Sequence, residues 1–247
     1  MRFAIPVAML MIPLMQVPVA KKMDRSLLRP SIKAPSLEII TKLASGKKFK
    51  EAYTLAGPAS IGGTGFIAVV TYGTKGGKKL ETGVLKLIAI EFNSGKWKKR
   101  WIITLLAGNK ARLKSCQIRA KIKVDDYDYD NKPEAFITYN YCGGMQRGLG
   151  SDKITEVIIV NIGTVPSIAF EDEIKRIHGS TELGIKKGVL TFRDINGDGH
   201  PDIIINYTTI IKDTEDTDRT ETIEEIAKYL WDIKTDRYKL FKEQPAE

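Results

Sequence analysis

The chain has 247 residues, 43% hydrophobic and 28% charged, which is ordinary globular composition and enough length for one domain with a full core. Two Cys and two His argue against a zinc cluster or any His-based metal centre. The formal net charge of +9 gives a basic protein, and no nucleic-acid-binding motif accompanies that charge.

Residues 1–20 read as an export signal. Arg2 is a short basic start, and an apolar run follows from Phe3 to Ala20, before Lys21-Lys22. Pro6, Pro13 and Pro18 argue against a stable membrane-spanning helix there, although Pro18 fits a small-x-small cleavage site poorly and leaves an uncleaved anchor as the alternative. No later apolar run is long enough to cross a bilayer, so the expected location is secreted or periplasmic. Residues 21–36, with scattered Lys and Arg and with Pro30 and Pro35, read as a linker or lead-in, and 37–247 as one β domain.

Apolar runs separated by turn residues then recur. Leu37 to Leu43 and Phe49 to Leu55 flank Ser45-Gly46-Lys47, which predicts a hairpin; a helix over 37–44 is the rival assignment. Leu87 to Phe92 and Trp97 to Thr104 flank Ser94-Gly95-Lys96, and Tyr229 to Ile233 and Tyr238 to Phe241 flank Thr235-Asp236-Arg237. A looser version is Val157 to Ile162, Gly163, and Val165 to Phe170. Two stretches interrupt the pattern. Glu171 to Gly179 suggests a short helical turn, and the polar Thr208 to Glu225 a mobile loop ending in a short helix.

Two nine-residue stretches carry the chemistry. Asp194-Ile195-Asn196-Gly197-Asp198-Gly199-His200-Pro201-Asp202 places side-chain oxygens at positions 1, 3, 5 and 9, with Gly at position 6. Alternate oxygens converge only if the backbone curls, and Gly199 permits the positive φ of that curl. Hard oxygen ligands of this number suit Ca²⁺. The plain alternative is a polar Asx-rich turn with no ion. An EF-hand is excluded, because position 12 is Ile205 where that loop needs Glu.

Asp126-Tyr127-Asp128-Tyr129-Asp130-Asn131-Lys132-Pro133-Glu134 repeats the pattern 68 residues earlier, with Asn131 in place of Gly. Another 68 residues back the pattern falls on Pro58, and the copy from Gly57 to Gly65 keeps turn glycines but has lost every carboxylate, so no ion is expected there. The repeats lie near 48–110, 111–172 and 185–241, each holding two strands around a loop and a further hairpin. Charge favours the 126–134 loop, but Gly199 predicts that 194–202 is the better ordered of the two.

These two loops resemble the calcium loops of FG-GAP or VCBS-type repeats, the units of integrin-α-like β-propellers. The resemblance implies an all-β fold of about three to four antiparallel meander blades with Ca²⁺ at hairpin tips. A fourth, partial blade would come from the N-terminal hairpin. An open three-unit stack and closure by a second chain are the alternatives. It also implies a main-chain ligand at position 7. The ligand sets are then Asp194, Asn196, Asp198, Asp202 and the His200 carbonyl, and Asp126, Asp128, Asp130, Glu134 and the Lys132 carbonyl. No Phe-Gly…Gly-Ala-Pro signature is present.

No catalytic constellation is visible: no nucleophile elbow, phosphate loop or dinucleotide fingerprint. The expected function is a non-enzymatic, calcium-binding module that engages a protein or a cell-surface or cell-wall polymer. An inhibitor or immunity protein of a cell-wall hydrolase and a carbohydrate-binding module are the alternatives. Lysines near the turns (Lys47, Lys48, Lys50; Lys75, Lys78, Lys79; Lys96, Lys98, Lys99 with Arg100) form either solvated hairpin tips or a basic face for an acidic partner. Trp97, Trp101, Tyr127 and Tyr129 serve either packing or a sugar-binding surface. Export and an even Cys count predict a Cys116–Cys142 disulfide across the strands flanking the 126–134 loop.

Overall fold

The structure is a computed structural model and describes residues 21–44, 51–76, 79–106, 119–146, 150–178, 184–212 and 220–241. The expected export signal lies outside these residues. Twelve strands dominate the described residues. β1 (Glu51–Ser60), β2 (Gly65–Gly76), β3 (Lys79–Asn93) and β4 (Lys96–Leu106) form an antiparallel meander. β5 (Arg119–Asp125), β6 (Glu134–Gln146), β7 (Gly150–Asn161) and β8 (Ser167–His178) form a second. β9 (Gly184–Arg193), β10 (Asp202–Lys212), β11 (Thr220–Asp232) and β12 (Arg237–Leu240) form a third. The second and third join into one eight-stranded sheet only where Lys175–His178 meets Gly184–Lys187.

Side chains alternate across each strand, so a strand covered on both sides must be apolar at every position. In β2, Ile67 and Val69 face the second meander, while Phe66, Ala68 and Val70 face the opposite way. In β7, Ile158 and Val160 pack against the first meander, and Val157 and Ile159 against Ile203, Ile205 and Tyr207 of β10. The outer face of the third meander has no such cover: Val189 and Ile226 are 64% and 65% exposed beside the exposed Asn206. Among the described residues the strands close into no barrel or ring, and no helix is long and apolar enough to cross a membrane.

Several expectations are corrected. Leu37 to Leu43 is not a strand but part of helix α1 (Leu37–Ala44). Ser36 accepts from the Ile39 amide through its hydroxyl and from the Ile40 amide through its carbonyl, so it caps the first turn. Ile40, Leu43 and Ala44 then fall on one helical face and cover Phe66, Ala68 and Val70. The first arm of the expected hairpin therefore adds no strand, and Glu51–Leu55 of its second arm belongs to β1; 45–50 lie outside the described residues. Of Glu171 to Gly179, Glu171–His178 makes no helical turn, because β8 runs on to His178, paired with both β7 and β9; Gly179 lies outside the described residues. Of Thr208 to Glu225, Thr208–Lys212 extends β10 and Thr220–Glu225 pairs back on it; 213–219 lie outside the described residues. The lead-in at 21–36 is docked, with a 3₁₀ turn at Arg25–Leu28 and Met23 only 7% exposed.

The hairpin signals at Ser94-Gly95 and near Asp236 do mark turns. Ser94 and Gly95 both take positive φ, 51° and 75°, which joins β3 and β4 by two residues with the twist the strands need. Residues 58–60 of the carboxylate-free copy belong to β1, leaving only Ile61–Thr64 between strands.

Candidate metal centre

β5 and β6 pair in register from Arg119↔Asn140 to Asp125↔Glu134, and β9 and β10 run to Arg193↔Asp202. The two hairpins therefore open into their loops at positions 68 residues apart. Within each loop the same three hydrogen bonds form. Asp128 Oδ1 accepts from the Asp130 amide (2.9 Å) as Asn196 Oδ1 does from Asp198 (3.0 Å). Asp130 Oδ1 accepts from the Lys132 amide as Asp198 Oδ1 does from His200, each at 2.8 Å. Glu134 Oε2 accepts from the Tyr127 amide (2.6 Å) as Asp202 Oδ2 does from Ile195 (2.9 Å). These Asx turns curl the chain so that alternate side chains point inward.

Two left-handed residues, not one, make each curl. Asn131 (φ 66°) and Gly199 (φ 90°) occupy position 6, and Tyr129 (φ 64°) and Gly197 (φ 77°) occupy position 4. A left-handed tyrosine is uncommon and is held by the bonds around it.

The loops differ in what their carboxylates do. Asp126, Asp128, Asp130 and Glu134 each bring an oxygen within 4.8 Å of the others. Asp126, Asp128 and Glu134 are 0%, 1% and 3% exposed, and Asp126 Oδ1 and Asp128 Oδ2 are buried with no hydrogen-bond partner. Burial, reinforced by the neighbouring carboxylates, pushes Asp128 up to about 7 and Glu134 up to about 10. A buried anionic group without a partner is costly. These four acids are a group that could hold a metal ion, and an ion there would relieve that cost.

In the 194–202 loop the carboxylates do not gather in this way. Asp194 accepts from the Gly197 and Gly199 amides (2.7 and 2.9 Å), and the second oxygen of Asp198 from the Asn196 side chain (2.9 Å). Asp202 is 0% exposed and divides its oxygens between the Ile195 and Trp231 amides. Asp194, Asn196 and Asp198 are exposed. The glycine backbone thus forms the expected curl, with its acids engaged by main-chain N–H groups.

Residues outside the loops complete the centre, and the sequence pattern does not point to them. The Met23 amide donates to Asp126 Oδ2, and Lys22 and Arg25 pair with Asp125 at the end of β5. The lead-in therefore covers the acidic loop with its basic side. The basic run at Lys21-Lys22 and Arg25 was the only available signal, and charge alone does not assign a partner. The four aromatic candidates pack. Trp97 stands edge-on to Phe66 and Phe92, and Trp101 donates through Nε1 to the Gly163 carbonyl at 3.1 Å. Tyr127 lies against Phe136 and Phe192, and Tyr129 lies beside Lys22. Cys142 is buried on β6, and Cys116 lies outside the described residues.

Compared with models of known families, with curated proteins and with solved structures, the chain matches none.

Proposed function

We propose that the chain is an exported, non-enzymatic, Ca²⁺-binding module of propeller-like repeats. Its ions are structural, and its surface engages a protein or a cell-surface polymer. One observation carries the metal reading: two buried carboxylate oxygens, Asp126 Oδ1 and Asp128 Oδ2, have no partner and lie in a cluster of four acids. Oxygen-only donors and a flexible loop suit Ca²⁺ better than Mg²⁺, which demands near-ideal octahedral geometry. Asp126, Asp128, Asp130 and Glu134, with the Lys132 carbonyl, are the proposed ligands. Asp194, Asn196, Asp198 and Asp202, with the His200 carbonyl, are the proposed weaker set. The three meanders correspond to three blades of the resembled family, stacked face to face with α1 over the first. Export is supported by the apolar stretch at 1–20, and suits an environment rich in Ca²⁺.

Thermal melts with Ca²⁺ and with EGTA test the metal. Extracellular modules bind Ca²⁺ at about 10⁻⁴–10⁻³ M. Ten-fold excess over Kd at one site adds roughly 1.4 kcal/mol, or a rise of about 3–6 °C in Tm for a chain this long. Equal midpoints with and without Ca²⁺ would sink the proposal.

A further inference from the structure

A row of side chains crosses five strands at the end of the β5–β6 hairpin away from its acidic loop. The registers run Arg119↔Asn140, Asn140↔Thr155, Thr155↔Lys175 and Lys175↔Lys187. Residues directly opposite one another share a face, about 4.5–5.5 Å apart at Cβ. From Arg119 to Lys175 the row reads Arg, Asn, Thr, Lys on the face of the second meander that carries Val157 and Ile159, and it ends at Lys187, which shares the outer face of the third meander with Val189. Lys121↔Thr138 lies one pleat further along on the same side.

Arg119, Lys121, Thr138, Asn140 and Thr155 line a cleft of about 620 Å³, with Leu55 and Ile174 as apolar walls. A bulge makes room for it: β8 carries an extra residue between the Thr155↔Lys175 and Glu156↔Glu173 pairs, and that residue is Ile174. No carboxylate lines the cleft. Arg119, Lys121, Lys175 and Lys187 make no ion pair with any described residue. Two lysines directly opposite each other in a sheet oppose folding, and Lys175 and Lys187 stand in that relation with no acid between them. The nearest acid along β8 on that side, Asp172, already accepts from Tyr207 (2.9 Å) and Tyr229.

We propose that this cleft binds an anionic carbohydrate, a short stretch of glycan bearing carboxylate or phosphate groups. The guanidinium fork of Arg119 matches a planar carboxylate or a phosphate. Lys121 in the cleft and Lys175 opposite Thr155 supply point charges. Asn140, Thr138 and Thr155 offer donors and acceptors suited to sugar hydroxyls, and Leu55 and Ile174 offer apolar surface to a ring face. From Arg119 to Lys175 the row spans three inter-strand spacings of about 4.8 Å, longer than one sugar. The inference deepens the proposed function by naming the class of its polymer partner, and it rests on that reading for a partner of polymer size. Its residues are separate from the acidic loop.

Calorimetry on the full chain with a hyaluronan tetrasaccharide, with uncharged cellotetraose and with glycerol phosphate tests it. Each titration is run in Ca²⁺ and in EGTA, with a parallel melt. The hyaluronan fragment or the glycerol phosphate binds and cellotetraose does not; which of the two is tighter identifies the anionic group as carboxylate or phosphate. Arg119→Ala and Lys175→Ala each weaken binding about ten-fold, and 0.5 M NaCl weakens it further. Both residues are far from the acidic loop, so the Ca²⁺-dependent melt of the variants certifies their fold. Absence of binding by both anions, equal binding of cellotetraose, or variants that bind like the parent overturns the inference. A melt unresponsive to Ca²⁺ with glycan binding intact would instead count against the metal reading alone.

Discussion

His200 Nδ1 lies 2.6 Å from the main-chain carbonyl of Asp128. The ring of one loop thus donates to the backbone of the other, at position 3 of the acidic set. His200 attracts notice in the sequence only as a main-chain carbonyl at position 7, yet its ring fixes the neighbouring site. Removing it is expected to weaken Ca²⁺ binding at 126–134 without removing any ligand. One such hydrogen bond contributes about 1 kcal/mol, so His200→Ala should lower affinity roughly five-fold. His200→Phe keeps the ring without the donor and should behave as the Ala variant does. Calorimetry on both decides; a parent-like Phe variant would show that the ring only fills space.

The two loops are expected to differ in the order set by their carboxylates. Asp126 and Asp128 hold buried oxygens with no partner, whereas both oxygens of Asp194 already accept from amides. Asp126→Ala should therefore remove the tighter Ca²⁺ site, and Asp194→Ala should leave most of the binding heat in place. The reverse result would mean that the glycine backbone at 197 and 199 outweighs the charge and burial of the 126–134 cluster.

Both loops were legible in the sequence because their side-chain pattern is local: oxygens at 1, 3, 5 and 9 and a left-handed residue at 6. The register was legible too, since pairing Val124 with Ala135 follows from where the loop begins and ends, and that pair forms. The helix at Leu37–Ala44 was not. An apolar run of that length fits either period, and the outcome was decided by the Ser36 cap and by the exposed face of β2 that needed cover. The strands through Glu171–His178 and Thr208–Glu225 were hidden by their charge. Edge and partly exposed strands carry polar residues, so composition alone made them look like insertions. The docking of Met23 onto Asp126 spans more than a hundred positions and leaves no local trace.

That docking has a consequence for proteolysis. Lys22 and Arg25 are both held against Asp125, next to the acidic loop. A bound ion that orders the loop should order the lead-in with it. Trypsin is expected to cut after Lys22 and Arg25 more slowly in Ca²⁺ than in EGTA, while cleavage at the exposed Lys96 and Lys98 changes little. Equal protection at both sites, followed by mass spectrometry over time, would show that the lead-in and the loop are uncoupled.

Asp172 joins the second and third meanders by accepting from two tyrosine hydroxyls, those of Tyr207 and Tyr229. Hydrogen bonds to a charged acceptor contribute about 1.5–3 kcal/mol each. Asp172→Ala leaves both hydroxyls without their acceptor, and should destabilise the fold by roughly 2–4 kcal/mol. Tyr207→Phe and Tyr229→Phe should each lose less, because a hydroxyl is removed rather than abandoned. Urea melts of the three variants test this, and an Asp172→Ala variant no weaker than either Phe variant would contradict it.

The last expectation is a disulfide between Cys116 and Cys142. The β5–β6 register pairs Arg119 with Asn140, and carried two residues further it sets Cys142 opposite position 117, one place out of line with Cys116. A one-residue offset reverses the face a side chain points to, so an ideal ladder would not bring the sulfurs together. The pairing of β6 with β7 is regular through Cys142 and shifts only between Gly143 and Met145, so the bond requires a one-residue bulge in the strand that carries Cys116 to bring the Cα atoms within 4.4–6.8 Å. Closing a loop of this length would contribute roughly 3–4 kcal/mol in the chain-entropy model. The bond would also tie together the two strands that carry the acidic loop at their other end. Peptide mapping of the unreduced protein should therefore find 116 and 142 in one cross-linked fragment, and reduction should lower both the melting point and the Ca²⁺ affinity. Two alkylatable thiols in protein taken from its native compartment would rule the bond out.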